Sequence, residues 1–180
     1  DSYLNKYVTL NLGIRDRDKL ALDDTYQPFI IMDSGPLKNG QLDGEWQRVN
    51  NGVLECRLLY NKGRFVSGIG LDSVGNKHPF NMVDTPPVYN GYSDIVTFIK
   101  RKSNILKQAR KKNLKGIIEM QVLIDTSGAV IDVKISSPFG RDVDEQMINA
   151  AKLTSHHWTP EKEYGIPRIS AMSLHIQVGA

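Results

Sequence analysis

The residues able to do chemistry are few, and their spacing does not suit it. His156 and His157 are adjacent. On a helix they point about 100° apart, so they cannot share a ligand face as an i, i+4 pair can. A place at a helix end, where the backbone dipole favours them, suits them better than zinc. His78 and His175 stand alone. Cys56 is the single cysteine and so cannot form an internal disulfide. It shares an apolar strand face with Leu54 and Leu58, the setting of a buried structural thiol rather than of a nucleophile. No carboxylate pair, nucleophile elbow or phosphate-cradling loop is present. The chain reads as a non-enzyme with no cofactor and no metal site.

Charge is more informative. Residues 1–84 carry 10 basic and 11 acidic side chains, while residues 85–180 carry 13 and 9. The excess comes from Lys100 to Lys115, which holds eight cations and no acid. Lys100, Arg101, Lys102, Arg110, Lys111 and Lys112 form its candidate basic surface. It has no interleaved aromatics and matches no nucleic-acid motif. It reads as the solvated face of short helices, with contact to a membrane surface or an anionic cell wall as the alternative. With 40% hydrophobic and 24% charged residues the composition is that of an ordinary globular protein. No stretch approaches the ~20 apolar residues of a membrane span, and no signal peptide is seen.

The elements that position these residues fall into two groups. From Lys115 the pattern is strand, turn, strand, helix, corner, strand. Ile118, Met120, Val122 and Ile124 share one face at period two, Asp125-Thr126-Ser127-Gly128 turns the chain, and Ile131, Val133 and Ile135 share the next face. Asp142, with Glu145 as capping-box partner, opens a helix whose stripe is Val143, Met147, Ala150, Ala151 and Thr154. Trp158-Thr159-Pro160 stops it, with Trp158 a core anchor. On the last strand Met172, Leu174, Ile176 and Val178 face inward. Ile169, Ala171, Ser173, His175 and Gln177 are its candidate partner-binding positions. At a sheet edge such a strand offers free N–H and C=O groups to a partner strand; alternatively, another element covers that edge. Before this module, Ser93 caps a short helix with Ile95, Phe98 and Ile99 inward, and Ile105, Leu106 and Ala109 continue it for a turn or two.

Tyr7 to Ile14 alternates as a strand, Arg15 to Asp24 is a charged loop, and Phe29 to Met32 is a second strand. Then a repeat begins. Gly40-x-Leu42-x-Gly44-x-Trp46 is echoed by Gly63-x-Phe65-x-x-Gly68. Gly40 to Gly63 and Gly52 to Gly75 are each 23 residues, a period of stacked units. Asn51-Gly52 marks a hairpin, and Leu54, Cys56, Leu58 and Tyr60 share a face. Val83 to Pro87 breaks the pattern, giving expected domains of 1–84 and 85–180.

Two resemblances follow from these residues. Pro86-Pro87-x-Tyr89-x-Gly91, Ala109 with Gly116, Val122-x-x-Asp125-x-x-Gly128-x-Val130, Val143-Asp144, Trp158-x-Pro160 and Gly165-x-Pro167 occur in the order found in the C-terminal domain of TonB-type energy transducers. The chain departs at Ile105-Leu106, where that family carries Tyr-Pro, at Tyr92, where it carries a second glycine, and at Arg168, where an apolar residue is common. Residues 40–76 resemble MORN-type β-hairpin repeats. Together they imply an α+β protein, an all-β MORN-like hairpin domain followed by a two-layer α+β domain with a three-stranded antiparallel sheet. The TonB resemblance implies a periplasmic protein of a Gram-negative cell. Its partner would be a TonB-dependent outer-membrane receptor, bound by strand addition in energy-dependent transport. An inner-membrane anchor and linker would lie outside these residues. The second function class is a periplasmic binding or scaffold protein without energy coupling, whose repeats recognise protein, lipid or cell wall.

Overall fold

The computed structural model describes residues 6–11 and 31–179. The chain divides into two compact units: residues 1–84 with Tyr164–Ile166, and residues 85–163 with 167–180.

In the first unit, period-two sequence and tight turns give the described residues an antiparallel sheet of seven strands. These are β1 (Lys6–Asn11), β2 (Ile31–Lys38), β3 (Gln41–Leu42), β4 (Gly44–Asn50), β5 (Val53–Asn61), β6 (Arg64–Leu71) and β7 (Lys77–Phe80). The order is β1-β2-β4-β5-β6-β7, with β3 on β2. Asn51 and Gly52 both have positive φ, 47° and 80°. This mirror-image turn matches the twist of the strands it joins. Gly40 and Gly63 sit in turns at one end of the meander, and Gly52 and Gly75 in turns at the other. The 23-residue spacing is therefore the length of two strands and their two turns. The strand expected from Tyr7 is found as far as Asn11; Leu12, Ile14, the loop 15–24 and Phe29–Ile30 lie outside the described residues.

This unit packs aromatics on glycines. Trp46, Cys56, Leu58, Phe80 and Tyr164 are buried together. Trp46 lies on Gly35 and Phe80 on Gly68, so closely that an added Cβ would come within 2.4 Å and 2.2 Å of the rings. Only glycine allows that approach. Asp33 on β2 and Arg48 on β4 are register partners joined by two hydrogen bonds, Nε to Oδ1 at 2.7 Å and Nη2 to Oδ2 at 2.6 Å. Arg48 also donates to the Tyr164 hydroxyl and lies 5.4 Å from that ring's centroid. The bond to Asp33 holds the guanidinium pKa above its ordinary value, and burial raises the Tyr164 hydroxyl.

The second unit begins within the two-residue strand β8 (Asp84–Thr85). It continues through β9 (Val88–Tyr89), α1 (Ile95–Lys102), α2 (Ile105–Lys112), β10 (Gly116–Ile124), β11 (Val130–Ile135), α3 (Arg141–Lys152), β12 (Trp158–Thr159) and β13 (Lys162–Glu163). After β14 (Ile166–Pro167) it ends in β15 (Ser170–Val178). β11, β10 and β15 form a three-stranded antiparallel sheet in that order. Its buried face carries Ile118, Met120, Val122 and Ile124 at its centre, with Val133 on one side and Leu174, Ile176 and Val178 on the other. Ile99 of α1, Ile105 and Ala109 of α2, and Val143, Met147, Ala150 and Ala151 of α3 close the same core.

The structure corrects four local expectations. α1 is capped by Asp94, whose carboxylate accepts from Thr97 N at 2.9 Å, rather than by Ser93. The continuation after α1 is a separate two-turn helix, because Asn104 takes a left-handed conformation, φ 52°, that breaks the ladder. α3 starts at Arg141 behind Gly140. Asp142 makes no cap bond: the helix has no side-chain cap, and Asp144 instead accepts from Phe139 N at 3.0 Å and Gly140 N at 3.2 Å just ahead of it. Ile131 does not join the inward face of β11 and is exposed. Opposite Leu123 and Ile124 stand Asp132 and Val130, which leaves Ile131 as the extra residue of a β-bulge.

Candidate functional site

β15 is built to be one strand of the core and the margin of its sheet. Leu174, Ile176 and Val178 are buried and Met172 packs against the same core, so the strand is fixed by every second side chain. Its backbone pairs with β10 from Ser170↔Ile124 to Val178↔Gly116 without a register break. Among the described residues it has no strand on its other side. Half of its N–H and C=O groups therefore point away from β10, the arrangement that accepts an added strand. Ala171, Ser173, His175 and Gln177 are all exposed on the outer face, where His175 is the register partner of Glu119. Ile169 is also exposed but precedes the strand. Four of the five expected positions thus share one face, and the fifth sits at its approach.

Two corners hold this margin in place. After α3, Trp158 is buried, and its Nε1 donates to Thr154 Oγ1 at 3.0 Å. Thr154 Oγ1 in turn donates to Ala151 O at 2.6 Å. The Trp158 ring meets that of Tyr89 at 5.2 Å, across the β9–β12 pair. At the β10–β11 turn, Asp125 Oδ1 accepts from Ser127 Oγ at 2.7 Å, Ser127 N at 2.8 Å and Ala129 N at 2.9 Å. The Ser127 hydroxyl, followed by the two amides, holds this carboxyl below the ordinary carboxylate range.

The basic residues gather at the C-terminal turns of α1 and α2, where the helix dipole favours cations. That preference covers Lys100, Arg101 and Lys102 on α1, and Arg110, Lys111 and Lys112 on α2. The side chains then divide. Lys102 lies 5.9 Å from the Phe98 ring centroid, and Lys112 reaches Asp142 at 3.5 Å. Lys100, Arg101, Arg110 and Lys111 line a groove of about 760 Å³ between the two helices. Lys107 and Leu106 line it too. They were absent from the expected surface, although the i, i+4 pairs Leu106/Arg110 and Lys107/Lys111 share helix faces and signalled it.

The chemistry-bearing residues do not converge. His156 and His157 lie in the turn after α3 rather than on the helix; His156 N donates to Gly128 O and His157 N to Thr154 O. His78 contacts Asp72 at 3.1 Å. Cys56 is fully buried in the first unit's core. Among the described residues no three His, Cys, Asp or Glu side chains group as a metal site. No described helix is long and apolar enough to cross a membrane.

Residues 107–177, from within α2 to the penultimate residue of β15, match the family model described as the Gram-negative bacterial TonB protein C-terminal. No curated protein and no solved structure matches the chain.

Proposed function

We propose that the protein works in the envelope of a Gram-negative cell, binding an extended segment of an outer-membrane receptor along β15 in energy-dependent transport. The match over residues 107–177 supports a place in TonB-type energy transduction. The observation that carries the binding mode is the position of β15, paired with β10 alone among the described residues. Its outer side chains are small or polar, so they add little affinity. Backbone hydrogen bonds carry the recognition, and at a net ~0.5–1.5 kcal/mol each several must form together. In this reading residues 85–180 are the receptor-binding domain, on the periplasmic side.

The first unit is proposed to be a MORN-like repeat array that adds a second recognition surface. The pairs Trp46 on Gly35 and Phe80 on Gly68 favour this, because they place the same aromatic-on-glycine contact near each end of the meander.

The test is a titration of peptides from receptor plug segments against the full chain, the Ser173→Pro variant and the Ser173→Ala variant. Proline removes a donor and distorts the ladder, so binding is expected to fall sharply. Ser173→Ala keeps the backbone and should bind as wild type. Equal binding by folded Ser173→Pro protein would remove β15 from the account.

A further inference from the structure

We propose that the groove between α1 and α2 is a docking surface for an anionic phospholipid membrane. Lys100, Arg101, Lys107, Arg110 and Lys111 line it, and the ion pairs found among the described residues engage other cations. Helix-end preference does not explain the set, because Lys107 lies in the first turn of α2, where the dipole disfavours a cation. Lys107 and Lys111 are four apart on one helix, a like-charge pair that works against the free helix. An anionic partner relieves that repulsion.

The distribution of charge points to an extended surface. Residues 100–115 carry eight cations and no acid, whereas the remainder of 85–180 carries five cations and nine acids. A domain so polarised turns its helical hairpin toward a negative plane and its other faces away. Leu106 separates a membrane from a soluble polyanion. It lies among the cations and is 51% exposed. A bilayer accepts such a side chain below its headgroups, while a nucleic acid strand gains nothing from it. No aromatic side chain lines the groove to stack on bases.

The experiment is co-sedimentation of the full chain with vesicles of phosphatidylglycerol in phosphatidylcholine, and with phosphatidylcholine vesicles alone. Oligothymidine is titrated in parallel. Of the two vesicle types only the anionic one is expected to bind, more tightly than oligothymidine, and the binding should weaken with added salt. Each cation near the surface is worth about fivefold, so Lys107→Gln/Arg110→Gln/Lys111→Gln should lose on the order of a hundredfold. These positions are exposed, so the fold should tolerate the changes. Leu106→Ser should lower vesicle binding severalfold and leave oligothymidine unaffected. Equal binding to both vesicle types, no binding to either, or vesicle binding by the triple variant at the wild-type level would each overturn the proposal. So would tighter binding to oligothymidine than to anionic vesicles, which would assign the groove to nucleic acid.

Discussion

Trp158 donates its indole N–H to Thr154 Oγ1 at 3.0 Å, four residues back, and so ties the last turn after α3 to the start of β12. Both residues are buried. The bond closes the corner through which the chain turns from the helix toward the edge strand.

Trp158→Ala should cost roughly 3–5 kcal/mol of stability, as large aromatic truncations in a core do. Thr154→Val leaves the indole donor buried and unsatisfied and should cost about 1–3 kcal/mol. Chemical denaturation measures both. A loss under about 1 kcal/mol for Trp158→Ala, well short of that range, would mean that the ring is not a core anchor.

The first unit offers a comparable test. Asp33→Ala would leave Arg48 largely buried without its carboxylate, and the loss should approach the roughly 3–5 kcal/mol of a broken buried pair. The side chains retain 11% and 18% exposure, which favours the lower end. Replacing both partners with apolar residues should cost less than Asp33→Ala alone. A double-variant loss equal to the sum of the single losses would show that the pair is uncoupled.

Acid should loosen the second unit through Asp125. Its folded-state pKa is depressed, first by the Ser127 hydroxyl and then by backbone amides. A depressed carboxyl stabilises the fold above its unfolded value of about 3.9, and that stabilisation is lost as pH falls below it. Denaturation midpoints measured from neutral pH downward should therefore fall less steeply for Asp125→Asn than for wild type below about pH 4. Parallel curves would remove Asp125 from the acid response.

Period-two alternation made β10 legible, and all four inward residues, Ile118, Met120, Val122 and Ile124, are buried. Alternation misplaced Ile131 because a bulge adds one residue to β11 opposite β10, and its partner strand decides that, not its neighbours. Caps are less legible: α1 is capped one residue after Ser93, and Asp142 lies inside α3. Several Ser and Asp side chains there are competent acceptors, and only the turn's geometry selects Asp94 for α1 and leaves α3 without a side-chain cap. The break at Asn104 is hidden by the apolar pattern, which carries on through Ile105 and Ala109, although asparagine is among the side chains that enter the left-handed region most readily. The Asp33–Arg48 pair joins residues fifteen apart through strand register, and the groove needs two helices side by side. Both are tertiary facts. The apolar stripe of the last strand was visible in the sequence, whereas its place at the sheet margin depended on strand order.

Amide hydrogen exchange along β15, with and without a receptor plug peptide, tests strand addition most directly. In the unliganded protein, alternate amides of Ser170–Val178 bond to β10 and should exchange slowly, while those between them exchange fast. The peptide should slow this second set over several successive positions of the alternation. Protection confined to α1 and α2, with the outer amides of β15 still fast, would contradict it.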